Sequence, residues 1–192
     1  MSNKLKEHIR NEFIEAAKKL VFEEGIGAVT ARRVGKETGY SYATVYSYFE
    51  KLDSLVWHVG LSLNEDMAEL YYAYEKSDDF TIEDIKTLFI DYIQFHFEKP
   101  NIFKLFLDQK IDIPPEEILK QMVSPNVNRI VYKVVGDVVK RRGAKESEVI
   151  MVSDMLMSSV YGYLAMYYGS IPVITQEEII KRVKAQINYL CK

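Results

Sequence analysis

Apolar residues recur along this chain at three- and four-residue intervals, and strand-like alternation is rare, so the pattern predicts helix after helix. The first helix runs from about Leu5 to Glu24. Ile9, Phe13, Ala16, Ala17, Leu20 and Val21 share one of its faces, and Gly25 and Gly27 end it. A short helix is expected from Thr30, a suitable N-cap, to about Thr38. Gly39 closes it by taking the left-handed conformation. Ser41 caps a second short helix that reaches about Phe49, and a longer one follows from about Asp53 to Lys76. Further helices are expected at about Ile82–Glu98, Asn101–Lys110, Pro115–Val123, Pro125–Arg142, Glu146–Gly169 and Thr175–Lys192. Pro100, Pro114, Pro115, Pro125, Gly143 and the run Ser170, Ile171, Pro172 mark the breaks. The fold class is therefore all-α. No internal repeat is visible. The one seam falls near residue 50, where short helices give way to long ones, dividing residues 1–50 from residues 51–192.

Composition narrows the class. The 192 residues are 48% hydrophobic and 28% charged, enough apolar surface to offset the entropy of ordering, so disorder over most of the chain is excluded. The only cysteine, Cys191, allows no internal disulfide and fits a reducing compartment. The N-terminus is polar and lacks a signal core, so a cytoplasmic protein is expected. From Met155 to Gln176 there is no charge, a length that could span a bilayer. Its four Tyr, three Ser, two Gly and one Pro argue instead for a helix buried in a protein interface. No membrane partner is expected.

The net charge of −3 alone does not suggest a nucleic-acid binder. Its distribution does. Residues 1–50 carry eight Lys/Arg against seven Asp/Glu, and Arg32, Arg33 and Lys36 form a basic island with only Glu37 among them. Thr30 to Phe49 reads as two short capped helices joined by a tight glycine turn, the pattern of a helix-turn-helix. In that motif the second helix lies in the DNA major groove and the first crosses the phosphate backbone. Ala28, Val34, Val45 and Phe49 would lock the pair onto the first long helix, completing a three-helix head. The outer face would carry Arg32, Arg33, Lys36, Tyr42, Thr44, Ser47, Tyr48 and Lys51. Arginine can fork onto guanine or phosphate. Thr30 and Ser41, beside free helix amides, suit phosphate oxygens. Tyr42, Ala43 and Thr44 would meet base edges, and the hydroxyls of Tyr46 and Tyr48 would reach phosphates. A plain helical hairpin in a core would not need Tyr40, Tyr42, Tyr46 and Tyr48 within nine residues beside those cations.

Over residues 14–55 the chain resembles the DNA-binding head of the TetR (tetracycline repressor) family of bacterial transcriptional regulators. The matching string is Ile14, Ala16, Ala17, Leu20, Phe22, Gly25, Thr30, Val34, Gly39, Ser41, Thr44, Val45, Tyr46, Tyr48, Phe49, Asp53 and Leu55. Three positions depart from the family pattern. Gly35 stands where Ala is usual, Ala43 where Gly is frequent, and Leu52 where many members carry a phosphate-contacting Lys. Lys51 is the nearest substitute for that Lys. Arg32 matches a position that reads bases in some members. The resemblance implies that residues 51–192 form a helical ligand-binding and dimerisation domain. It further implies a repressor that binds a palindromic operator as a dimer and leaves it when a small molecule binds.

The residues support a dimer independently. Ser158, Gly162, Ala165 and Gly169 fall three or four apart, a stripe against which another helix can pack closely. With Met155, and with Ile179, Val183 and Ile187 of the last helix, they would make a two-fold four-helix interface. Aromatic and sulfur residues suggest a cavity for a flat or lipophilic effector: Trp57, Met67, Tyr71, Phe89, Tyr92, Phe95, His96, Phe103, Phe106, Tyr132, Met155 and Tyr163. No Walker loop, GxGxxG, HExxH or GxSxG is present, and His8, His58, His96 and Cys191 lack metal-ligand spacing. No enzyme, cofactor or metal is expected. The competing reading is a helical small-molecule-binding protein without operator binding.

Overall fold

The apolar rows become helices in the computed structural model, which describes residues 3–105, 107, 114, 116, 118, 120, 126–169 and 174–192 and, of residues 68, 70 and 126, the backbone only. The helices are α1 (Asn3–Glu24), α2 (Ala31–Thr38), α3 (Tyr42–Tyr48), α4 (Leu52–Leu70), α5 (Tyr72–Glu75) and α6 (Ile82–Glu98). They continue with α7 (Pro100–Lys104), α8 (Asn126–Lys140), α9 (Glu146–Tyr168) and α10 (Gln176–Leu190). Among the described residues there is no strand. The helix expected at Pro115–Val123 lies largely outside the described residues, as do Phe106 and the Ser170, Ile171, Pro172 break. Contacts divide the chain into two units, Met1–Asp66 with Asn101–Val123, and Met67–Pro100 with Ser124–Lys192.

The first unit is built around α1. Ile9, Phe13, Ala17, Leu20 and Val21 are buried along one face of it. Val34 of α2, Val45 of α3, Phe49, and Leu55, Val56 and Val59 of α4 complete the core. Ala28, expected in this core, is half-buried in a 3-10 turn, Ile26–Ala28, that the sequence pattern does not reveal. Phe13 has no exposed surface, and the rings of Tyr40, Tyr48 and Phe49 meet it edge-on at 5.3, 5.5 and 6.5 Å. Tyr48, expected on the outer face, thus spends its ring, as Tyr40 does, on packing against α1. Polar contacts add to this. The Arg10 guanidinium of α1 donates to His58 Nε2, while His58 Nδ1 donates to the Ser54 carbonyl at 2.6 Å. Lys18 reaches Asp66 at 2.7 Å and Ser62 at 3.1 Å.

The turn between α2 and α3 is closed by backbone hydrogen bonds. Gly39 sits at φ 77°. Its N–H donates to the Lys36 carbonyl, and the Tyr40 N–H donates to the Gly35 carbonyl at 2.9 Å. Gly35 also lies against the returning chain, because a Cβ built there would come within 2.6 Å of the Tyr40 carbonyl oxygen. The glycine that departs from the family pattern is therefore the position over which the turn closes. Gly35→Ala is expected to force backbone movement and to cost about 1–3 kcal/mol, measured by urea unfolding. An unchanged stability would contradict this packing.

In the second unit α6, α8, α9 and α10 pack together. Their buried rows include Ile85, Leu88 and Ile93; Val131, Val134 and Val135; Val152, Leu156 and Leu164; and Ile179, Val183 and Ile187. A capping box starts α6: Thr81 Oγ1 accepts from the Asp84 N–H, and the Asp84 carboxylate accepts from the Thr81 N–H at 2.7 Å. The helix expected from Asp53 to Lys76 ends instead at Leu70 and resumes as α5. At the interruption Tyr71 is buried, and Tyr74 stacks on Phe80 at 5.8 Å.

Candidate nucleic-acid interface

Two side-chain caps fix the backbone of the candidate interface. Thr30 Oγ1 accepts from the Arg33 N–H at 3.2 Å, and Ser41 Oγ accepts from the Thr44 N–H at 3.1 Å. Each cap starts its helix where the sequence places it. The Ser41 and Thr44 hydroxyls are 2.9 Å apart, and Ser47 donates to the Thr44 carbonyl at 2.7 Å. Helix α3 then divides cleanly. Val45 and the capping residue Phe49 are buried, whereas Tyr42, Ala43, Tyr46 and Ser47 are exposed, Tyr42 by 55% and Tyr46 by 48%. Thr44, Tyr40 and Tyr48 lie between these extremes. A helix held by one side and bare on the other can present that bare side to a groove.

The cations differ among themselves. Arg32, Lys36 and Lys51 are exposed, as is Thr30. Arg33 is not a bare outer charge. Its guanidinium forks onto Glu24 at the end of α1, with Nη1–Oε2 at 2.7 Å and Nη2–Oε1 at 2.5 Å. That fork holds the Glu24 carboxyl below the usual carboxylate range and raises the guanidinium pKa further. Sequence reasoning missed Glu24. Nine positions and a helix end separate it from Arg33, so no helical spacing links the two.

The residues expected to line a cavity fall in both units. Trp57 and Phe103 belong to the first unit; Met67, Tyr71, Phe89, Tyr92, Phe95, His96, Tyr132, Met155 and Tyr163 belong to the second. Within the second unit Met67, Tyr71, Phe89 and His96 are buried, and the Tyr92 and His96 rings are 4.6 Å apart. Burial pushes the His96 imidazole down to about 4, so it is neutral at physiological pH, and pushes the Tyr92 phenol up to about 12. The Tyr71 hydroxyl is buried and has no hydrogen-bond partner among the described residues. Tyr163 accepts from Gln186 at 3.1 Å in the α9–α10 seam, and Tyr132 donates to Asp154. Met155 is 48% exposed, on the outer side of α9.

The expected interface residues also separate. Ser158 is exposed, Gly162 and Ala165 are half-buried, and a Cβ at Gly162 would meet nothing within 4 Å. This stripe is open in the single subunit, flanked by exposed Met151 and Met166. Ile179, Val183 and Ile187, by contrast, have no exposed surface and lie in the subunit's own core. The open side of α10 carries Glu177, Ile180, Lys181, Lys184, Ala185 and Asn188. An apolar row marks burial but does not say against which partner. By length and composition α9 is the one helix among the described residues apolar enough to cross a membrane. No group of three or more His, Cys, Asp or Glu that could hold a metal ion occurs among the described residues.

A capped short helix, anchored on one side to a helical platform and following a left-handed glycine turn, defines a helix-turn-helix DNA-binding protein. Residues 13–57 match the profile of the bacterial regulatory proteins of the tetR family. Over those residues, and there alone, the chain matches the family. No curated protein sequence matches it significantly. Its fold is shared with solved structures at low identity. A TetR transcriptional regulator from Rhodococcus matches with TM-score 0.61 and 14% identity, covering 98% of this chain and 97% of that one. FadR from Bacillus subtilis, solved with stearoyl-CoA, matches with TM-score 0.67 and 11% identity over 95% and 97%. FadR from Thermus thermophilus, solved with lauroyl-CoA, matches with TM-score 0.68 and 12% identity over 94% and 92%.

Proposed function

We propose that this protein is a dimeric transcriptional repressor that binds a palindromic operator through α3 and leaves it when a lipophilic small molecule occupies the second unit. The observation that carries this reading is the division of α3 into a buried anchor, Val45 with Phe49, and an exposed face of Tyr42, Ala43, Tyr46 and Ser47. In it, Tyr42, Ala43 and Thr44 meet base edges. Thr30, Tyr40, Ser41, Tyr46, Ser47, Tyr48, Lys51 and Arg33 meet the backbone, and Arg32 reads a base. Residues 1–50 act as the DNA-binding domain and residues 51–192 as the effector and dimer domain. The protein works by binding alone and needs neither catalysis nor cofactor.

Dimerisation supplies the symmetry. The open stripe of Met155, Ser158, Gly162 and Ala165 faces its copy across a two-fold axis, which sets two heads on half-sites about 34–36 Å apart. The chain passes from the first unit to the second within α4. An effector that favours a different head spacing thereby weakens operator binding. A long-chain acyl-CoA thioester is the first effector class to test. Its support is the buried Tyr71 hydroxyl, which has no hydrogen-bond partner among the described residues, and the acyl-CoA held by two proteins of the same fold.

The test is an electrophoretic shift on duplex from upstream of the protein's own gene at two salt concentrations. Retardation whose affinity falls steeply with salt supports the reading. No retardation of any fragment supports a small-molecule binder without an operator. Arg32→Ala is expected to cost about 1–3 kcal/mol and to relax preference at one base pair. An equal loss on every sequence would make Arg32 a phosphate contact.

A further inference from the structure

Glu24 and Arg33 each stand at the unfavourable end of their own helix. Glu24 is the last residue of α1, where the helix dipole favours cations, and the last turn of α1 contains no basic residue. Arg33 is in the first turn of α2, where the dipole favours anions, and that turn contains no acidic residue. Neither charge is there to stabilise its helix. What stabilises both is the fork between them, two parallel charged hydrogen bonds of 2.7 and 2.5 Å. The backbone on each side is fixed. The Gly25 N–H closes onto the Val21 carbonyl at 2.9 Å, Asn101 donates to the Phe22 carbonyl at 3.3 Å, and Thr30 caps α2 through the Arg33 N–H. The pair is still half in water, with side-chain exposures of 40% for Arg33 and 48% for Glu24.

A carboxylate that grips a guanidinium by two oxygens has the geometry of a phosphate doing the same. On the DNA reading above, on which this inference rests, the first turn of α2 comes up against the phosphate backbone. We propose that Arg33 exchanges Glu24 for a DNA phosphate on binding, so that Glu24 is an intramolecular competitor that sets affinity for duplex of any sequence. The exchange replaces one forked anion by another. Glu24, already half solvated, returns to water at little cost, and the phosphate gains the adjoining helix amides as well as the guanidinium. Glu24 touches no base, so it alters strength and not sequence preference.

The experiment uses the full chain, a fluorescent duplex of arbitrary sequence and a salt series. Glu24→Gln is expected to bind about two- to fivefold more tightly than the wild type, the range expected for release of an exposed ion pair. Glu24→Asp, which keeps the charge but withdraws it from the guanidinium, is expected to gain as well. Arg33→Met is expected to bind more weakly, with a salt slope smaller by about 0.9. In the Arg33→Met background Glu24→Gln should add nothing. Two results would overturn the exchange: Glu24→Gln binding no more tightly than the wild type, or a gain that persists without Arg33, since that is a general charge effect. Should Glu24→Gln not fold, Glu24→Asp decides alone, gain supporting the exchange and no gain overturning it. A wild-type chain that binds no duplex at any salt would instead remove the DNA reading itself.

Discussion

Gly162→Glu is expected to give a folded monomer whose operator affinity is lower by about 10²–10⁴-fold, the range that linking two binding modules provides. The subunit tolerates the change because a Cβ at Gly162 meets nothing within 4 Å, and replacing glycine inside a helix carries no propensity penalty. A dimer does not tolerate it. In the proposed dimer the stripe Met155, Ser158, Gly162, Ala165 is closely approached by its copy, and a charge placed in its centre would be buried without a partner. Sedimentation shows the state of assembly, and fluorescence anisotropy the affinity. A variant that stays dimeric with full affinity would move the interface elsewhere on the subunit.

Phe13→Ala is the larger threat to the head itself. Phe13 has no exposed surface and is the ring against which Tyr40, Tyr48 and Phe49 pack. Removing it leaves a cavity under both ends of α3, and the expected cost is about 3–5 kcal/mol in urea unfolding. Operator binding should fail together with stability, because the same three rings fix the angle at which α3 leaves the head. A loss below about 1 kcal/mol would mean that the site collapses around the missing ring, and that Phe13 does not organise the head.

The head was legible because its signals are local. Thr30, Gly39 and Ser41 each act on backbone within a few positions, and each does in the structure what its residue type dictates. The interruption at Tyr71 was not legible, since no proline or glycine marks it. Glu24 was hidden because its partner lies across a helix end. The rows of α9 and α10 teach the same lesson from the other side. Ile179, Val183 and Ile187 read as interface but fill the subunit core, while the small-residue stripe read alongside them is open. Hydrophobic spacing identifies a buried face, whereas only tertiary structure says which neighbour buries it. Gly35 combines both cases. The sequence marks it as a departure from the family pattern, and the 2.6 Å approach to the Tyr40 carbonyl supplies the reason.

Methylation interference on an operator fragment tests the central claim most directly, because guanine N7 lies in the major groove and adenine N3 in the minor groove. The account predicts that guanine methylation blocks binding in two patches, one helical turn or a multiple of it apart and related by two-fold symmetry. Interference confined to adenine N3, or a single unpaired patch, would contradict a paired α3 seated in the major groove.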